Sequence, residues 1–132
     1  MIMRKNGFTL LWIARLVAAV IMLQTLYFKF SGAEESVYIF SQLGIEPWGR
    51  IGSGVAELVA SLLILIPRTT GYGALIGLGV MSGAVFSHLF VLGIEVQNDS
   101  GLLFMYAILV FISCLYIVWV KRKALPVLSK IA

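Results

Sequence analysis

A chain of 132 residues with 61% hydrophobic and 12% charged side chains, at a mean hydropathy of +1.02, cannot cover a water-soluble fold with polar surface. That leaves an integral membrane protein, and its net charge of +4 is no sign of a nucleic-acid partner, because the basic residues sit at the ends of apolar runs where they set topology. Cys114 is the single cysteine and lies inside an apolar run, so an internal disulfide and a Cys-x-x-Cys redox pair are excluded as well.

Arg4 and Lys5 precede the first apolar run, at about residues 8–30, which would span roughly 34 Å as a helix. It is too long for a signal peptide, contains Arg15 and lacks a small-x-small cleavage site, so it is expected to stay in the mature protein.

The chain then turns amphipathic. Ser31-Gly32-Ala33-Glu34 reads as a capping box, Val37, Phe40 and Leu43 share a helical face, Gly44 suits a C-terminal cap and Pro47 forbids continuation. A short interfacial helix over about 33–43 is predicted, with Tyr38 and Trp48 at headgroup depth.

The second span, about 49–66, carries Glu57 near its middle, where an ionisable side chain costs about 2.5–3.5 kcal/mol on insertion scales. Glu57 needs a partner, a proton or a purpose. Pro67-Arg68-Thr69-Thr70 is so tight a connection that the third span, about 71–93, must return beside the second. In that third span Gly79, Gly83 and Ser87 form one i, i+4 row of expected close packing, while Gly73, Gly77, Ala84 and His88 lie near another. Gly71-Tyr72-Gly73 is no nucleotide loop, because position 76 is Ile and no strand precedes it. Glu95 and Asp99 mark a polar loop before the fourth span, about 101–120, which ends at Lys121-Arg122-Lys123. The expected architecture is a single all-α membrane domain over 1–132, an antiparallel four-transmembrane-helix bundle with one interfacial helix between spans one and two.

Loop charges orient it. Arg4, Lys5, Arg68, Lys121, Arg122, Lys123 and Lys130 fall on one side, and Glu34, Glu35, Glu46, Glu95 and Asp99 fall on the other with Arg50 and the span-end Lys29. The positive-inside rule then makes both termini cytoplasmic. At about 1.5 Å per residue from the outer ends, Gln24 lies roughly 9 Å deep, Glu57 about 12 Å, His88 about 8 Å and Tyr106 about 8 Å. One residue from each span thus falls in a single layer of the outer half, with Tyr27 and Lys29 above it.

Each residue has a plainer reading beside the functional one. Arg15, about 8 Å below Glu57, can snorkel to cytoplasmic headgroups or act structurally, and Lys29 can likewise snorkel. Tyr27 and Tyr106 can be interfacial aromatics, Gln24 an interhelical amide clamp and His88 a packing residue. Glu57 is too short to reach an interface from mid-span.

A carboxyl, an imidazole, an amide and phenols in an apolar pocket can bind a polar head such as a quinone carbonyl, or pass a proton between Glu57 and His88. One histidine cannot supply a bis-His haem, one cysteine cannot cradle an iron–sulfur cluster, and no metal site is expected.

Arg15 and Lys29 in span one, Leu43-Gly44-Ile45-Glu46-Pro47 before span two, Glu57 followed by Arg68, and Gly83-Ala84 with His88 together resemble the DoxX family of small four-span membrane proteins. The chain departs from that pattern at Leu26, where the family usually has glycine. The resemblance implies a bacterial plasma membrane and association with quinone-linked or thiol-linked oxidoreductase complexes. Three readings follow. The chain is an accessory or quinone-binding component of a membrane oxidoreductase system and not a catalyst on its own, or it binds or transports a small apolar molecule or lipid, or it is a non-catalytic scaffold. Expected partners are the lipid bilayer, a membrane or peripheral redox protein and a second copy of the chain. No intrinsic cofactor is expected beyond a quinone.

Overall fold

The computed structural model describes residues 2–97 and 99–122. Lys123 and Lys130, counted above among the basic residues of one side, lie outside the described residues. Five α-helices follow one another: α1 (Ile2–Ser31), α2 (Glu34–Gln42), α3 (Trp48–Leu65), α4 (Thr70–Ser87) and α5 (Leu102–Lys121). A π-helical turn, His88–Leu92, prolongs α4. The four segments Gly7–Ser31, Trp48–Leu65, Thr70–Leu92 and Leu102–Lys121 are long and apolar enough to cross a membrane. Among the described residues there is no strand. This is a four-helix membrane bundle.

The helices close into a ring in which α1 packs on α3 and α5, and α4 packs on the same two from the opposite side. Small residues set how near they come. A Cβ built on Gly73 would lie 2.6 Å from both the carbonyl oxygen of Ala60 and the amide nitrogen of Ile64, so α4 rests on the backbone of α3. One turn further, a Cβ on Gly77 would stand 2.8 Å from the Cys114 sulfur on α5. Without hydrocarbon–water contrast to drive helices together inside a bilayer, such close van der Waals contact is what holds them. Ala18, Met22, Ile64, Val110 and Ile117 fill the space between the four rods. Their outward faces present Val20, Val59, Phe86, Ile112 and Leu115 to the lipid.

Close packing was expected along Gly79, Gly83 and Ser87, and there the structure differs. A Cβ on Gly79 or Gly83 meets nothing within 4 Å, and all three residues line a cavity instead. Two residues turn a helix by about 200°, so the row through Gly79 faces away from the contact made at Gly77.

The segment between α1 and α3 also departs in part. Ser31 belongs to α1, and α2 starts after Ala33 with no side-chain cap, so the capping box does not form. The reason is Gly32, whose φ of +70° reverses the chain while the Ala33 N–H donates to the carbonyl of Phe28 at 3.0 Å. Gly44 behaves as expected: with φ at +75°, its N–H donates to Ser41 and that of Ile45 donates to Phe40, both at 3.0 Å. Closed at both ends in this way, α2 touches α1, α3 and the π-helical turn and lies across one end of the bundle.

Candidate functional site

Beneath α2 the ring of helices forms a partly open cavity of about 610 Å³. Gln24 and Lys29 from α1, Glu57 from α3, His88 from the π-helical turn and Tyr106 from α5 all line it. Met22, Met81 and Val110 form its deep end, and Ile39 and Phe40 of α2 close over it.

Glu57 is 3% exposed and its charge is answered from the neighbouring helix. Lys29 Nζ lies 3.0 Å from Oε2 and 3.3 Å from Oε1. Thr25, one helical turn before Lys29 and on the same face, places its hydroxyl 3.4 Å from Oε2 while also bonding the Met22 carbonyl at 2.9 Å. Thr25 was missed in the sequence, although its spacing of four from Lys29 was a usable signal. Lys29 is itself held in place, because the Arg50 guanidinium donates to its backbone carbonyl and pairs with Glu46 at 2.9 Å. Such a buried ion pair is strongly destabilised if one partner is lost, since the other charge stays desolvated.

His88 is 5% exposed and packs edge-on against Phe104, with ring centroids 5.5 Å apart. Its Nδ1 donates to the carbonyl of Gly93 at 3.0 Å. That bond depends on the π-helical turn, in which the Gly93 N–H reaches back five residues to the His88 carbonyl. Nε2 has no hydrogen-bond partner among the described residues.

At the mouth, Asp99 accepts the N–H groups of Val96 at 3.0 Å and Gly101 at 2.8 Å on one oxygen and of Leu103 at 3.2 Å on the other, which satisfies the start of α5. Burial would raise its pKa, but these three donors outweigh it and hold the carboxyl below the usual aspartate range. Glu35 of α2 also lines the cavity, and burial together with the nearby Asp99 charge pushes its carboxyl above the usual range.

One expected site residue is elsewhere, and Arg15, expected either to snorkel or to act structurally, is structural. Tyr27 is 72% exposed and rests edge-on against Phe28, because two residues of helix place it about 200° around α1 from Lys29. Arg15 does not snorkel. It is 4% exposed, stacks 3.6 Å over the Trp12 ring and donates from Nε to the Ile64 carbonyl at 3.0 Å and from the terminal nitrogen to Leu65 at 2.9 Å. Those carbonyls end α3 and have no partner further along the helix, so Arg15 completes them from α1. Arg68 sits exposed in the adjoining connection.

The family model for DoxX matches residues 10–90, more than half of the chain. The chain belongs to the DoxX family. Curated proteins and solved structures gave no significant match. Within this DoxX protein the match takes in Arg15, Lys29, Glu57, Arg68 and His88, whereas Asp99 and Tyr106 lie beyond it. Among the described residues no group of three or more His, Cys, Asp or Glu is placed to hold a metal ion. What the DoxX site offers is a collar of donors and acceptors around an otherwise apolar chamber, an arrangement that can hold a molecule with a polar head and a hydrocarbon body.

Proposed function

We propose that this DoxX protein binds a quinone in the cavity and serves as an accessory or quinone-binding component of a membrane oxidoreductase system. One observation carries the reading. The ion pair of Lys29 and Glu57 and the unpartnered His88 Nε2 converge on a chamber whose remaining walls are largely apolar. Its volume, about 610 Å³, is within the range typical of small-molecule sites. A quinone ring carbonyl would take its hydrogen bonds from Lys29, Gln24 or Tyr106, and the tail would lie along Ile21, Phe28 and Leu92. Electrons would come from a membrane or peripheral redox partner, since one cysteine and one histidine supply neither a dithiol, an iron–sulfur cradle nor a bis-His haem site. The charge bias of the loops supports an orientation with both termini cytoplasmic and the cavity toward the exterior, and the DoxX match supports a bacterial plasma membrane location.

Purification in mild detergent, followed by identification of co-purifying quinones, lipids and proteins, tests this directly. Glu57→Gln should weaken quinone binding about tenfold, because Lys29 loses the charge-assisted partner that holds it at the cavity wall. Unchanged binding together with unchanged quinone-dependent turnover would reject the proposal. The extent of apolar wall from Ile21 to Phe40 favours a second reading, a carrier or binding module for a lipid without redox chemistry. Co-purifying lipid with no quinone and no redox partner would select it.

A further inference from the structure

We propose that the cavity prefers the reduced, hydroxyl-bearing member of a quinone/quinol couple, and that His88 Nε2 is the acceptor for that hydroxyl. The inference rests on the quinone-binding reading and names which redox form the site is built for.

A backbone carbonyl can only accept, so the 3.0 Å contact between His88 Nδ1 and the Gly93 oxygen requires the proton on Nδ1. In the neutral ring Nε2 then carries a lone pair and can only accept. No fully sealed side-chain nitrogen or oxygen among the described residues lacks a partner, so the unpartnered Nε2 keeps access to solvent. His88 is 5% exposed and lines the cavity, which gives a bound molecule a route to that nitrogen. A quinone carbonyl arriving there sets lone pair against lone pair, whereas a quinol hydroxyl donates. Sites built to bond a ligand hydroxyl discriminate strongly against analogues without one, because the buried protein group is left unpaired.

The charges of the lining narrow the ligand further. Glu35, Glu57 and Asp99 face a single ammonium, that of Lys29, which is already paired. A fatty-acid carboxylate or anionic phospholipid head would meet net negative charge, and a quinol is neutral.

The test uses the full chain in nanodiscs with a histidine-free affinity tag, titrated anaerobically with decylubiquinone and with its reduced quinol. The quinol is expected to bind about tenfold more tightly in the wild type, the size of one unmade hydrogen bond to a buried acceptor. In His88→Leu the ratio should fall to near one. His88→Gln, whose amide can donate or accept, should bind both forms within a few-fold of each other and guards against a variant that fails to fold. His88 is the chain's only histidine, so nitrogen-15 NMR reads its tautomer without assignment. The ligand-free protein should show a protonated Nδ1 and a bare Nε2, and quinol should shift the Nε2 resonance. Equal or tighter binding of the quinone in the wild type, a preference that survives in His88→Leu, or a protonated Nε2 in the ligand-free protein would each overturn the inference while leaving quinone binding in place. Failure of both redox forms to bind would remove the quinone reading and this one together.

Discussion

Lys29 Nζ stands 3.0 Å from Glu57 Oε2, an ion pair that ties α1 to α3 inside the apolar part of the bundle and sets the polar wall of the cavity. Glu57 is the more enclosed partner, its side chain 4% exposed against 16% for Lys29. Lys29→Met should therefore cost about 3–5 kcal/mol, the range for stranding a buried charge, and Glu57→Gln less. The double variant should recover much of the loss. A double-mutant cycle of unfolding in mixed micelles checks this, and additive losses would contradict the coupling.

Gly73 and Gly79 separate packing from cavity lining on one helix. Gly73→Ala drives a methyl to 2.6 Å from the backbone of Ala60 and Ile64, atoms that cannot swing aside, and should destabilise by about 1–3 kcal/mol. Gly79→Ala meets open space and should be neutral or slightly stabilising, as alanine is the better helix former by about 0.5–1 kcal/mol. Gly83→Leu should keep the fold while filling the cavity, so its signature is lost ligand binding at unchanged stability. Thermal unfolding of the three variants beside a binding titration distinguishes them.

Arg15 locks the end of α3 from α1 with two hydrogen bonds and a stack on Trp12. Arg15→Met should cost about 1.5–3 kcal/mol, as expected for hydrogen bonds from a charged group. Arg15→Lys should not restore it, because an ammonium cannot span two carbonyls and stack at once. If lysine restores full stability in the same unfolding assay, the planar fork is not what matters.

Asp99 and Glu35 respond to pH with opposite signs at the cavity mouth. The Asp99 carboxyl is held low, so its stabilisation of the loop into α5 is complete above the ordinary aspartate range and is lost as pH falls through its own lowered pKa. Glu35 is held high by burial and by Asp99, so folding binds its proton more readily and stability declines as pH rises past the ordinary glutamate range. Asp99→Asn should lower the Glu35 pKa and speed amide exchange at Leu103. Hydrogen exchange of Val96, Gly101 and Leu103 followed from pH 3 to 7 reads both effects, and pH-independent exchange protection would count against them.

Hydropathy, loop charge and the tight connection at 67–70 were enough to derive four spans, their antiparallel order and the short helix between the first two, because each depends on local composition or on the reach of a short connection. The depth count brought Gln24, Glu57, His88 and Tyr106 to one layer, and all four line the cavity, since the rise per residue is nearly constant in any helix. Facing was another matter. Whether Tyr27 or Lys29 turned inward, and whether the row at Gly73 or at Gly79 met a neighbour, depended on how the rods rotate against one another, which is settled by contacts between residues far apart in the chain. The inner partner of Arg15, the Thr25 contact to Glu57 and the extra residue of the π-helical turn that fixes His88 are all products of that packing. Composition and residue order determined that this chain lives in lipid and which polar groups share a level along the helices. Only the tertiary structure decided which of those groups meet, because depth follows from counting along one helix and contact requires two.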